Sequence, residues 1–192
     1  MLSRRRTFSV GLLLGVLGML GWQYWRSAQQ NSTRLMPPEE AAFVKIFSQS
    51  RAAWITAPND LGRIGMRQAR AAALCKADPE LSVSGWLGRI ISVTPNSVPD
   101  LEGKQSATIV IGLTSDVSVT TPSLPLLNNP AAMVEAGTPI YATAATLPAG
   151  QGVRFSGRFF TGSDCVDEES FTVNGGMTEP RLKIWLTALG RA

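Results

Sequence analysis

The chain contains no histidine and only two cysteines, Cys75 and Cys165. Without an imidazole there is no Ser-His-Asp or Cys-His pair and no histidine general base. Two cysteines with no histidine cannot complete a zinc site of the usual kind. Lysine is scarce: Lys45, Lys76, Lys104 and Lys183 lie among helix, turn or alternating-strand signals that read as exposed, which leaves no buried lysine to activate a serine. No glycine cluster follows a strand and opens a helix, so a phosphate-binding loop is not expected. These absences predict a non-catalytic protein with no metal and no cofactor.

Acidic residues are missing from the first 38 positions, which read MLSRRRTFSVGLLLGVLGMLGWQYWRSAQQNSTRLMPP. Arg4, Arg5 and Arg6 precede an uncharged run over 8–25, closed by Arg26. At about 1.5 Å per residue the run spans roughly 27 Å, enough for a hydrocarbon core. Trp22, Tyr24 and Trp25 supply the aromatic belt of a membrane interface, and no small-x-small cleavage site follows. A lipoprotein signal is excluded because no cysteine lies near this end. The expectation is an uncleaved signal anchor. The three arginines would hold residues 1–7 in the cytoplasm and the rest would stand outside the inner membrane. A cleaved signal peptide is the competing reading.

The net charge of +4 and the pI near 9.5 first suggest a nucleic-acid partner. The excess, however, belongs to Arg4, Arg5, Arg6 and Arg26 beside the apolar run. Beyond it basic and acidic residues balance, and from Ala77 onward acids exceed bases by four. The high pI is therefore a topology signal. In an exported domain the cysteine pair predicts one disulfide. It would close a 90-residue loop worth about 4.6 kcal/mol in the chain-entropy model. Two unpaired buried thiols are the alternative.

After a polar, proline-ended stalk at 26–38, residues 39–77 read as two helices. Pro38, Glu39 and Glu40 suit the start of the first and Pro58 its end, with Phe43, Ile46, Phe47, Ser50 and Trp54 on one stripe. The second is capped by Asn59 or Asp60 and is expected to bury Leu61, Ile64, Ala71, Ala72 and Cys75. Arg63, Arg67 and Arg70 would form a solvated ridge opposite, within reach of phospholipid headgroups or an acidic partner. From Leu81 the pattern becomes β. LSVSGWLGRIISV is a strand bent at Gly85 and Gly88, and QSATIVIGL alternates with Ala107, Ile109, Ile111 and Leu113 on one face. DVSVTT turns Val117 and Val119 inward, PIYATAATL and GVRFSGRFF are two further strands, and RLKIWLTAL ends the chain. Asn174-Gly175-Gly176 reads as a hairpin-type turn.

A bent first strand carrying Gly85, Trp86, Gly88 and Ile90, a meander, and a strand carrying Gly150, Gly152, Val153, Phe155 and Gly157 resemble an OB-fold, over about 80–160. The likeness is closest to the tRNA anticodon-binding-like OB superfamily and to exported bacterial proteins carrying such a domain. It implies a mainly β protein with an N-terminal helical part: a five-stranded OB-like Greek-key barrel with a C-terminal extension over 78–192, preceded by one transmembrane helix and two helices. It also implies a binding face at Thr108, Val110, Ser118 and Thr120, with the loop at 122–136. Those positions are small and uncharged, whereas single-strand binders need aromatic platforms and a basic groove.

In VRFSGRFF, Val153, Phe155 and Phe159 read as core, with Arg154 and Arg158 on the outer face. The acidic SDCVDEES stretch lacks the spacing and central glycine of an EF-hand, and reads as a solvated acidic turn around the disulfide. Trp86, Tyr141 and Trp185, with Arg154 and Arg158, are the candidate binding residues. The function expected is a membrane-anchored periplasmic binding or assembly module of a Gram-negative bacterium, with an envelope protein as partner. The alternative is an OB-fold binder of single-stranded nucleic acid or another polyanion.

Overall fold

The computed structural model of the chain describes residues 36–97, 103–123, 133–170 and 172–192. The expected anchor over 8–25, with Arg4, Arg5, Arg6, Trp22, Tyr24 and Trp25, lies outside these, as does most of the stalk. Among the described residues no helix is long and apolar enough to cross a membrane. Pro37–Ala192 forms one compact unit.

Helix α1 (Pro38–Thr56) starts with proline at its first position and Glu39 and Glu40 in its first turn. It stops because Pro58 drives Ala57 out of the helical region, to φ −62° and ψ 132°. Helix α2 (Asp60–Ala77) is capped by Asn59, whose side chain accepts from the Gly62 N–H at 2.9 Å. Eight strands and two short helices follow among the described residues. These are β1 (Ser82–Pro95), β2 (Ser106–Gly112), β3 (Ser118–Thr120), β4 (Val134–Glu135), α3 (Pro139–Ala144), β5 (Gly152–Phe159), β6 (Thr161–Gly162), β7 (Cys165–Val166), α4 (Val173–Thr178) and β8 (Arg181–Arg191).

Five of the strands close on themselves in the order β1-β5-β8-β3-β2-β1, antiparallel throughout except for β3 beside β8. This mixed closed barrel is compatible with an OB-like fold. Closure depends on β1, whose first half pairs with β5 and whose second half pairs with β2, with register shifts between Val83 and Trp86 and between Ile90 and Ser92. Gly85, at φ +64°, supplies the left-handed residue at the first shift. Gly157 is required where β5 crosses β8, because a Cβ there would strike the Trp185 carbonyl.

The alternating residues fill the barrel: Ile109, Ile111, Val119, Val153, Phe155, Leu182 and Ile184 are all buried. Helix α1 packs against it, with Phe43 5.0 Å from both Trp86 and Phe159 between ring centroids. Such aromatic pairs add about 0.5–1.5 kcal/mol beyond their area burial.

Four sequence expectations change. RLKIWLTAL is not an extension appended to the OB-like part; β8 lies between β5 and β3, so the barrel extends to Arg191 instead of ending near 160. PIYATAATL is not a strand, because Pro139 and the Thr138 side chain, which accepts from the Tyr141 N–H at 3.2 Å, start helix α3. Asn174-Gly175-Gly176 is helical for the same reason: the Thr172 hydroxyl accepts from Gly175 N–H and starts α4. The face assigned to α2 is inverted. Leu61 and Ile64 are 81% and 55% exposed, whereas Arg70 and Leu74 are buried.

Candidate functional site

A groove of about 580 Å³ crosses β1, β2 and β3. Its floor follows from ladder register, since cross-strand neighbours share a face. Ser92 stands opposite Val110, Val110 opposite Thr120, and Thr94 opposite Thr108. Asn96 continues the β1 row; it accepts from the Thr108 hydroxyl at 2.7 Å and donates to Ser106 Oγ at 2.8 Å. The side chains of Ser92 and Thr94 have no protein partner among the described residues. Ser97 and Ser123 extend the rim, and Glu169 and Arg181, 3.9 Å apart, mark the one charged end. The groove therefore presents small hydroxyl and amide groups that both donate and accept, with no aromatic ring among its described lining. Three of the four face residues implied by the resemblance, Thr108, Val110 and Thr120, lie here; Ser118 does not line it. Ser92, Thr94 and Asn96 were missed, although their period-two spacing on an extended β1 is the signal that could have found them.

A second concentration of polar groups joins α2 to the segment around β6, β7 and α4, around a cavity of about 230 Å³. Arg67 pairs with Asp164. Arg70, only 2% exposed, pairs with Glu168, donates to the Gly176 carbonyl at 2.7 Å and lies 5.2 Å from the Phe47 ring centroid. Burial pushes the Arg70 pKa down and the Glu168 pKa up, and each partner's charge opposes the other's shift. Lys183 pairs with Asp167 at 2.9 Å. The disulfide Cys75–Cys165 ties the same two regions together, with its Cα atoms 5.6 Å apart. The acidic stretch is thus internally neutralised, where a solvated turn was expected. Among the described residues no group of three or more acidic, cysteine or histidine side chains is placed to hold a metal ion. The supposed arginine ridge of α2 is the other half of this joint, and Arg63 stacks on Trp54 at 5.7 Å.

Glu40 is a buried ionisable residue like Arg70. Its Oε2 accepts from the Leu87 N–H at 2.8 Å, beside the first register shift in β1. Its Oε1 has no partner among the described residues. Burial raises the carboxyl pKa from 4.5 to about 7, against the Leu87 hydrogen bond and the charge of Arg154.

The remaining candidate binding residues are scattered. Trp86 is a core residue, 2% exposed, and is corrected from a surface contact to packing against Phe43. Tyr141 is partly buried on α3 and packs on the core. Arg154 and Arg158 are exposed on β5. They donate to the Gly85 and Glu80 carbonyls, each at 3.0 Å. Comparison of the chain with protein-family models, with curated proteins and with solved structures finds no match.

Proposed function

We propose that the chain is a membrane-anchored, non-catalytic binding module of the bacterial envelope. The apolar run over 8–25 would hold it at the inner membrane, and its OB-like barrel would engage a protein partner on the periplasmic side. The observation that carries this reading is the groove across β1, β2 and β3. It is the most voluminous of the cavities described above, its floor is uncharged, and Ser92 and Thr94 on it hold hydroxyls with no protein partner among the described residues. Side chains on one face of a strand repeat about every 6.7 Å, the period at which an extended polypeptide presents its own same-side polar groups. Single-stranded nucleic acid is disfavoured on this floor, which lacks both stacking rings and a basic track.

The test is a photo-cross-linking residue at Thr108 in cells expressing the full chain, with the exposed α1 position Ala52 as control. A discrete protein adduct from Thr108, absent from Ala52 and lost when Ser92 is replaced by arginine, is the expected outcome. No adduct, or the same adduct from both positions, overturns the assignment of the groove.

A further inference from the structure

Arginine ordinarily finds a carboxylate, and most described arginines here do. Arg51, Arg63, Arg67, Arg70 and Arg181 all hold ion pairs. Arg89, Arg154 and Arg158 hold none among the described residues. Each donates instead to a backbone carbonyl, of Gly150, Gly85 and Glu80 respectively, which fixes the side chain while leaving the charge uncompensated. Glu80 contributes its carbonyl to Arg158 and not its carboxylate, and the charge of Arg154 is felt by buried Glu40.

Strand register places the three on one outer face. Arg89 stands opposite Gly152, Arg154 opposite Leu87 and Gly190, and Arg158 opposite Ser82 and Trp185. Arg154 and Arg158 are four residues apart on one strand, about 13 Å. Their neighbours are mostly glycine or serine, so guanidinium groups stand highest on the face. Trp185, 38% exposed, lies beside Arg158.

The geometry points to the outer β1–β5–β8 face as a seat for anionic phospholipid headgroups, an inference that rests on the membrane-anchored reading above. Guanidinium groups bind phosphate oxygens through forked donors, and among the described residues most donors of these three are unused. A single tryptophan beside them suits the headgroup level, where indole rings settle. A single-stranded nucleic acid would need several stacking platforms and a groove, and this face has one ring. On the α2 ridge, expected from the sequence to be solvated, Arg67 and Arg70 are occupied by internal carboxylates.

The experiment uses the full chain, labelled with a polarity-sensitive dye through Ala188→Cys under non-reducing conditions. Ala188 is exposed on the same face, opposite Ser156. Flotation is measured with vesicles of phosphatidylcholine alone and of phosphatidylcholine mixed with phosphatidylglycerol. The expected result is flotation with both, through the anchor, and a blue shift of the dye only with phosphatidylglycerol. Added salt should reverse the shift, and the triple replacement of Arg89, Arg154 and Arg158 by glutamine should weaken seating on the order of 100-fold. The salt titration on the otherwise unaltered chain decides the matter if the triple variant misfolds. Flotation with anionic vesicles alone, lost in the triple variant, supports the face and refutes the anchor. Flotation with both and a dye indifferent to phosphatidylglycerol refutes the face and keeps the anchor. Flotation with neither refutes both, and a dye shift with oligothymidylate but not with lipid reassigns the face to nucleic acid.

Discussion

Replacing Glu40 by glutamine should remove a large part of the pH dependence of folding between pH 5 and 8. The folded state holds the Glu40 proton up to about pH 7, because burial disfavours the charge. The unfolded chain releases it near 4.5. Between those values the folded state binds more protons, so stability is greatest below pH 4.5, falls as pH rises, and levels off above 7. At about 1.4 kcal/mol per pH unit of separation the full loss is roughly 3 kcal/mol, most of it between pH 5 and 8. Glutamine keeps an oxygen for the Leu87 N–H and carries no charge, so it mimics the protonated acid. The variant should match the parent below pH 4.5 and exceed it by about 3 kcal/mol at pH 8. The assay is urea unfolding of the full chain in mild detergent, followed by tryptophan fluorescence at each pH. Other groups, including Glu168, also titrate, so the quantity that matters is the difference between parent and variant. A difference that stays constant from pH 5 to 8 would refute the reasoning, because it would show that water or a cation reaches Oε1.

Arg70→Ala should cost about 3–5 kcal/mol, because it strands Glu168 as an uncompensated buried carboxyl. Adding Glu168→Gln to it should recover part of the loss, and full additivity in denaturant midpoints would show that the two side chains do not interact. Gly157→Ala should destabilise at or beyond the upper end of the usual 1–3 kcal/mol for overpacking, since the obstacle is the Trp185 backbone carbonyl and cannot rotate away; an unchanged melting temperature would contradict the close β5–β8 crossing. Reducing Cys75–Cys165 should lower stability by up to about 4.6 kcal/mol while leaving the far-ultraviolet spectrum native, because Arg67 and Arg70 still hold α2 to the same segment. Loss of the β signal on reduction would show that the ion pairs cannot hold that joint alone.

The sequence by itself determined what depends on neighbours close along the chain. The period-two alternation of Val153, Phe155 and Phe159 specifies which side of β5 is buried, because successive side chains point to opposite faces, whereas in β2 Ser106 and Val110 are buried as well as Ala107, Ile109 and Ile111. Pro38, Asn59 and Pro58 bound the two helices through capping chemistry that acts within a turn. The cysteine pair was legible too, since an even count in a chain read as exported leaves one pairing. Helices α3 and α4 were missed where proline or threonine caps outweighed alanine, threonine and glycine composition.

Tertiary structure alone decided what depends on groups distant in the chain. Helix α2 carries apolar residues on one side and arginines on another, and hydrophobicity predicted the apolar side as the buried one. The arginines turn inward because Asp164, Glu168 and the Gly176 carbonyl, 97 to 106 residues later, meet them there. Barrel closure required β8 to lie parallel to β3, a pairing that no local pattern encodes. The groove floor likewise exists only once β1, β2 and β3 are in register, and Glu40 becomes a buried acid only when α1 meets the irregular part of β1. Local order comes from short-range sterics and capping, whereas the burial of a charge depends on which distant partner the completed fold brings to it.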